Sequence, residues 1–216
     1  MVIFILIKTF TDRLVIILDV IGSKKDLAFT SAIREKVRNI DREFFEYPPS
    51  VSRGDEIQAV LLPGVDLGKA LRHLRYELLP YKLRIGIGFG RIEIPEDSVS
   101  SWDLSGEAFF NARDGVEELE KARQTSLCFL SGDERLNLCV NTILELMNVI
   151  INDWTQTQFR YVLLYEEYGT FDRVSEVLDV SSQNVHKACK RANWDVVKRA
   201  EQNMEGILKG WAGDCI

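Results

Sequence analysis

Thr170-Phe-Asp-Arg-Val-Ser-Glu-Val-Leu-Asp-Val-Ser-Ser-Gln-Asn-Val-His-Lys-Ala-Cys-Lys-Arg-Ala192 reads as two short helices and the tight link between them. A threonine hydroxyl can accept a hydrogen bond from the orphan backbone N–H groups that open a helix, so Thr170 caps Phe171 to Leu178. Asp179-Val180 is a tight turn with an apolar second residue, and Ser181 caps a further helix from Ser182 to Ala192. Just upstream, Thr155 to Tyr168 winds Phe159, Val162, Leu163 and Tyr165 or Glu166 about a helix axis, and Gly169 stops it. The spacing is that of a helix-turn-helix at about 155–194.

Within this module Val174, Val177, Leu178, Val180, Val185 and Cys189 form the expected buried face. Ser182, Gln183, Asn184, His186, Lys187, Lys190 and Arg191 are left pointing outward. No acid occurs between Ser181 and Arg191, so the helix carries three positive charges on a chain whose formal charge is −6. An acidic chain is a poor indiscriminate nucleic-acid binder, but a small basic helix on an acidic body suits duplex DNA. On a recognition helix the N-terminal residues meet base edges and the later ones meet phosphates. Ser182, Gln183 and His186 or Lys187 would then read, Lys190 and Arg191 would anchor, and glutamine or asparagine suits adenine edges. The plain alternative is a helical hairpin that docks proteins.

The 216 residues, 46% of them apolar, suffice for two small cores. Met1 to Ile7 and Leu14 to Leu18 are separated by charge, and neither approaches the roughly 18 apolar residues of a membrane span. No signal-peptide pattern is present, so a cytoplasmic protein that avoids membranes is expected. Cys128, Cys139, Cys189 and Cys215 lie far apart and only His73 and His186 could join them, so reduced thiols and no zinc are expected. Leu14 to Val20 is a buried strand, with Met1 to Ile7 pairing beside it, and Lys24 to Phe45 is a helix that Tyr47-Pro-Pro-Ser50 breaks. Val51 to Leu62 is a hairpin turning at Arg53-Gly54-Asp55, and Val65 to Leu79 is a helix ended by Pro80. Leu83 to Ile94 alternates and carries Gly86, Gly88 and Gly90, so another backbone or a ligand comes close to this strand. A strand continues past those glycines where a dinucleotide fingerprint would start a helix, so no dinucleotide cofactor is expected. Helix Glu107 to Arg123, strand Ser126 to Leu130 and the apolar helix Arg135 to Ile151 follow. The last has Leu136, Leu138, Val140, Ile143, Leu144, Met147 and Ile150 as a stripe buried in the protein or against a second copy. This order is α+β: a mainly antiparallel, ferredoxin-like sheet with helices on one face over residues 1–132, then an all-helical domain over 133–216.

Leu18-Asp-Val-Ile-Gly-Ser-Lys24, Arg53-Gly-Asp-Glu-Ile-Gln58, Leu83-Arg-Ile-Gly-Ile-Gly-Phe-Gly90 and Gly106-Glu-Ala-Phe-Phe-Asn-Ala-Arg113 together resemble the SatD family. More distantly they resemble the class III nucleotidyl cyclase and GGDEF palm. The palm resemblance spans roughly residues 14–123, and the SatD resemblance continues into the C-terminal helices. It implies that Asp19 and Asp55 hold magnesium and that Ile21, Gly22, Ser23 and Lys24, with Lys25, wrap the phosphates of a nucleotide. By the same resemblance Asn111 and Arg113 are the catalytic candidates that would steady developing charge. Their spacing departs from the cyclase pattern, and Val51 stands where cyclases carry a base-reading lysine. Read without the resemblance, Asp19 is a helix cap or turn residue, Gly54-Asp55 is ordinary hairpin chemistry and Arg113 is a helix-surface ion-pair residue. The expectation is a homodimeric, ligand-responsive transcription regulator that binds DNA. The alternative is a metal-dependent nucleotidyl cyclase or related phosphoryl-transfer enzyme.

Overall fold

The apolar run Val15–Leu18 forms the centre of a sheet and is fully buried. The computed structural model of the chain describes residues 9–21, 27–51 and 56–213. In chain order the elements are β1 (Thr9–Val20), α1 (Leu27–Arg38), β2 (Phe45–Val51), β3 (Glu56–Leu61), α2 (Leu67–Glu77), β4 (Leu83–Ile94) and β5 (Ser105–Gly106). After them come α3 (Glu107–Lys121), β6 (Leu127–Leu130), α4 (Glu134–Asn152), α5 (Gln156–Tyr168), α6 (Phe171–Leu178), α7 (Ser182–Arg191) and α8 (Trp194–Gly213). A 3₁₀ turn at Ser101–Asp103 precedes β5. The fold is α+β, with several helices and a mixed sheet. Its strand order is β2-β3-β1-β4-β5, with each neighbouring pair antiparallel, and β6 lies parallel to β4. Parallel pairing needs a crossover, and α3 supplies it.

Alternate residues of a strand face opposite sides of the sheet. Val15 and Ile17 join Val60, Ile92, Ala108, Phe109 and Ala112 in one core that includes the inner side of α3. Their neighbours Ile16 and Leu18 are equally buried, so the central strands are dry on both faces, whereas helices on one face only were expected. That is why Leu14 to Val20 shows no polar alternation. A Cβ added at Gly86 or Gly88 would overlap the carbonyl oxygens of Ala112 or Ala108, so the backbone that approaches the glycine-rich strand belongs to α3.

Helix α1 ends at Arg38, short of the expected Phe45, and β2 begins at Phe45 and runs through Pro48 and Pro49. An edge strand tolerates proline because its outer N–H groups have no ladder partner, and the register shifts in this stretch. The expected pairing of Met1 to Ile7 and the turn at Arg53-Gly54-Asp55 lie outside the described residues.

Contacts divide the chain into two compact units, the described residues of Met1–Val65 with Pro80–Asn141, and of Asp66–Leu79 with Thr142–Ile216. A single break between 132 and 133 was expected; instead α2 is grouped with the later helices. The reason is chemical, because its Arg72 and Arg75 hydrogen-bond to Glu166, Glu201, Asn148 and Asn152 of that unit. The helical core is built from Met147, Ile151, Trp154, Phe159, Val162, Val174, Val185, Cys189, Trp194 and Val197. The Trp154 indole N–H donates to the Ala192 carbonyl at 2.8 Å, which ties the start of α5 to the end of α7. On α4, Leu136, Val140, Leu144, Met147 and Ile151 are buried, but Leu138 is 71% exposed, as are most of Leu146 and Val149. The expected stripe was drawn too wide, since 3.6-residue geometry turns position 138 away from the buried side. Among the described residues no helix is long and apolar enough to cross a membrane.

Candidate functional site

Local capping sets the geometry of α7. Thr170 accepts from the Arg173 N–H, and Asp179 closes α6 in the left-handed region with φ 52°. Its N–H and that of Val180 both return to the Ser175 carbonyl. Ser181 then accepts from the Asn184 N–H at 3.3 Å and starts α7. Val174, Val185 and Cys189 hold this hairpin on the helical core, while Leu178 and Val180 are half-buried. Val177, expected in the buried face, is 54% exposed. It lies in the last turn of α6, which ends one residue later at Leu178.

Gln183, Asn184, His186, Lys187, Lys190 and Arg191 are exposed and Ser182 is half-buried. Gln183, Lys187, Lys190 and Arg191 follow i, i+4 and i+7 or i+8 spacing, which puts them on one face, opposite Val185 and Cys189. Among the described residues no carboxylate pairs with Lys187, Lys190 or Arg191. His186 is committed differently, for its ring lies 5.1 Å from Phe171, which stacks on Tyr165 at 4.3 Å. The arrangement offers three cations and two amide side chains to a ligand, on a helix capped at its start and packed on the helical core.

The charges at the end of the sheet are arranged otherwise. Asp19 sits opposite Arg84 on β4 and Glu56 on β3, and directly paired residues point to the same face. The Arg84 guanidinium donates to the Asp19 carboxylate at 2.6 Å. Arg113 of α3 reaches Glu56 at 3.3 Å, and the Asn111 amide donates to the Phe89 carbonyl at 3.0 Å, tying α3 to β4. The Ile21 N–H, one of the groups expected at a phosphate, donates to the Lys82 carbonyl at 2.9 Å. Gly22, Ser23, Lys24 and Lys25, and the second carboxylate of the expected magnesium pair, Asp55, lie outside the described residues. Arg84 pairs with one carboxylate oxygen of Asp19, and Asp19 is the one carboxylate of the expected magnesium pair among the described residues. Among the described residues no three His, Cys, Asp or Glu side chains gather as metal ligands.

Compared with known families, the chain matches the sequence profile of the SatD family over residues 13–208, across both units. The chain belongs to the SatD family. No curated protein matches it. Among solved structures, this SatD chain is similar to the regulator of polyketide synthase expression from Bifidobacterium adolescentis, at 15% identity over 92% of this chain and 79% of that one. The TM-score of 0.30 is too low to carry either fold or role across.

One charged cluster of this SatD family member was missed by sequence reasoning. Arg72 on α2 is 1% exposed and donates to Glu201 of α8 at 2.6 and 3.0 Å, and to both oxygens of Glu166 on α5 at 3.0 Å. Its guanidinium lies 4.5 Å over the Trp194 ring. Burial alone would lower the arginine's pKa, but the two carboxylates raise it above its usual value. With one cation facing two acids, burial pushes the Glu201 carboxyl up to about 7 despite Arg72. Gly68 makes room, since a Cβ there would overlap the Glu201 side chain. The signal in the sequence was Arg72 itself, next to Leu71 in the apolar stripe of α2.

Proposed function

We propose that this SatD family protein is a DNA-binding transcription regulator in which α7 reads duplex DNA and the sheet-containing unit senses a ligand. The observation that carries this reading is the exposed cation set of Lys187, Lys190 and Arg191, without carboxylate partners among the described residues, on a helix held by a tight turn. Phosphate contacts need such cations, and Gln183 at the start of α7 stands where base edges are met. The test is selection from a pool of random duplexes: the wild-type chain should enrich a sequence, and Lys187, Lys190 and Arg191 all changed to alanine should enrich none.

For the sensing unit, a palm-like reading is supported by the order β2-β3-β1-β4, with α1 between β1 and β2 and α2 between β3 and β4. Sensing is preferred to nucleotidyl cyclase or other phosphoryl-transfer catalysis because Asp19 is held by Arg84. A magnesium-dependent nucleotide site at Asp19 and Asp55 stays within the proposal, and calorimetry with a nucleoside triphosphate and magnesium tests it through an Asp55→Asn variant. Pairing into a homodimer is supported by the exposed Leu146 and Val149 of α4, and light scattering should give twice the chain mass.

A further inference from the structure

Helix α4 buries one apolar side, and its outward side is apolar as well. Leu138, Leu146 and Val149 are 71%, 64% and 66% exposed, and Cys139 is an exposed free thiol. At 3.6 residues per turn these four lie within about 60° of one line along the helix. The outward face of a surface helix is ordinarily polar. The same line carries Arg135 in the first turn of α4 and Asp153 in the turn just past its last residue, Asn152. Both are exposed, and among the described residues neither has an ion-pair partner.

These charges say what fits the stripe. Arg135 and Asp153 stand equally far from position 144, so the stripe is positive at one end, apolar in the middle and negative at the other. A second copy laid antiparallel matches it twice over. Arg135 meets Asp153 of the second copy, Leu138 and Cys139 meet its Val149, and the two Leu146 side chains come close near the centre. A parallel copy would instead set Arg135 on Arg135 and Asp153 on Asp153. The remaining acids of α4, Glu134 and Glu145, lie toward one edge of the stripe, where water and salt screen them.

We infer that two copies of this chain associate by an antiparallel, two-fold pairing of α4, with Leu138, Leu146 and Val149 in the middle and an Arg135–Asp153 ion pair at each end. This rests on the homodimer proposed above and gives it a contact surface and a direction. An interface that uses the same patch on both copies closes on itself and stops at two chains.

Sedimentation velocity of the full chain, at low salt and over a range of concentrations, tests it. Arg135→Asp alone and Asp153→Arg alone each set like charges together at both ends and should weaken the dimer by roughly tenfold. Both changes together exchange the charges and should restore the wild-type affinity. An acid near the start of a helix and a base near its end suit the helix dipole, so these variants keep α4. Leu146→Glu, at an exposed position, should leave monomers. A dimer that survives Leu146→Glu, or that the double exchange fails to restore, overturns the antiparallel pairing and leaves a homodimer formed on another surface. A wild-type chain that stays monomeric at tens of micromolar overturns both.

Discussion

Two sets of cations in the same helical unit are treated in opposite ways. Arg72 of α2 is buried, shared between Glu166 and Glu201 and covered by Trp194, whereas Lys187, Lys190 and Arg191 of α7 are exposed and share no carboxylate among the described residues. A buried charge survives only if every polar neighbour is satisfied, so Arg72 is spent on structure. An exposed charge without a partner adds little to stability and keeps its electrostatic potential for something outside the chain. Burial and pairing thus separate arginines that hold the fold from cations that are available to a ligand. The pairs Asp19–Arg84 and Glu56–Arg113 fall between the two, paired but partly exposed.

The largest expected effect is that of Arg72→Ala, which leaves the buried Glu201 and the half-buried Glu166 without a cation and should cost about 3–5 kcal/mol in urea unfolding. A loss below about 1 kcal/mol would put Arg72 in the same class as a surface charge. The pH dependence comes next. The folded Glu201 carboxyl, raised to about 7, holds its proton more tightly than it does in the unfolded chain. Its contribution to stability is therefore complete below the unfolded value of about 4.3 and is lost as pH rises through 7, by an amount on the order of 3 kcal/mol. Glu201→Gln should flatten that part of the stability profile; an unchanged slope would show that another group titrates there.

Smaller effects sharpen the other side of the comparison. Gln183→Ala should cost about 1–3 kcal/mol on a preferred duplex and little on random DNA, measured by fluorescence anisotropy, with no change in melting temperature. Arg113→Ala, which breaks a half-exposed pair with Glu56, should change stability by less than about 1 kcal/mol.

Signals carried within one element were legible in the sequence. Thr170 and Ser181 were read as caps, and they cap; Leu83–Ile94 has the expected ends because alternation, glycines and a preceding proline all mark them. Signals that depend on a distant partner were not. Arg84 lies 65 positions from Asp19, and 129 positions separate Arg72 from Glu201. No periodicity announces such pairs. The prolines of β2 looked like a break because a linear reading cannot tell an edge strand from a loop, and Val177 and Leu138 looked buried because apolar character does not report what covers a residue. The outward face of α7 was legible because the buried Val185 and Cys189 leave one orientation for the helix.

The salt dependence of duplex binding tests the central claim most directly. Each phosphate contact contributes about 0.9 to the slope of log affinity against log salt. The wild-type chain should bind duplex DNA with a clear negative slope, and changing Lys187, Lys190 and Arg191 to alanine together should make it shallower by roughly 2–3 units, with the fold intact. The same slope and affinity in both chains, or no binding by the wild type at low salt, would contradict the assignment of α7 as a DNA-reading helix.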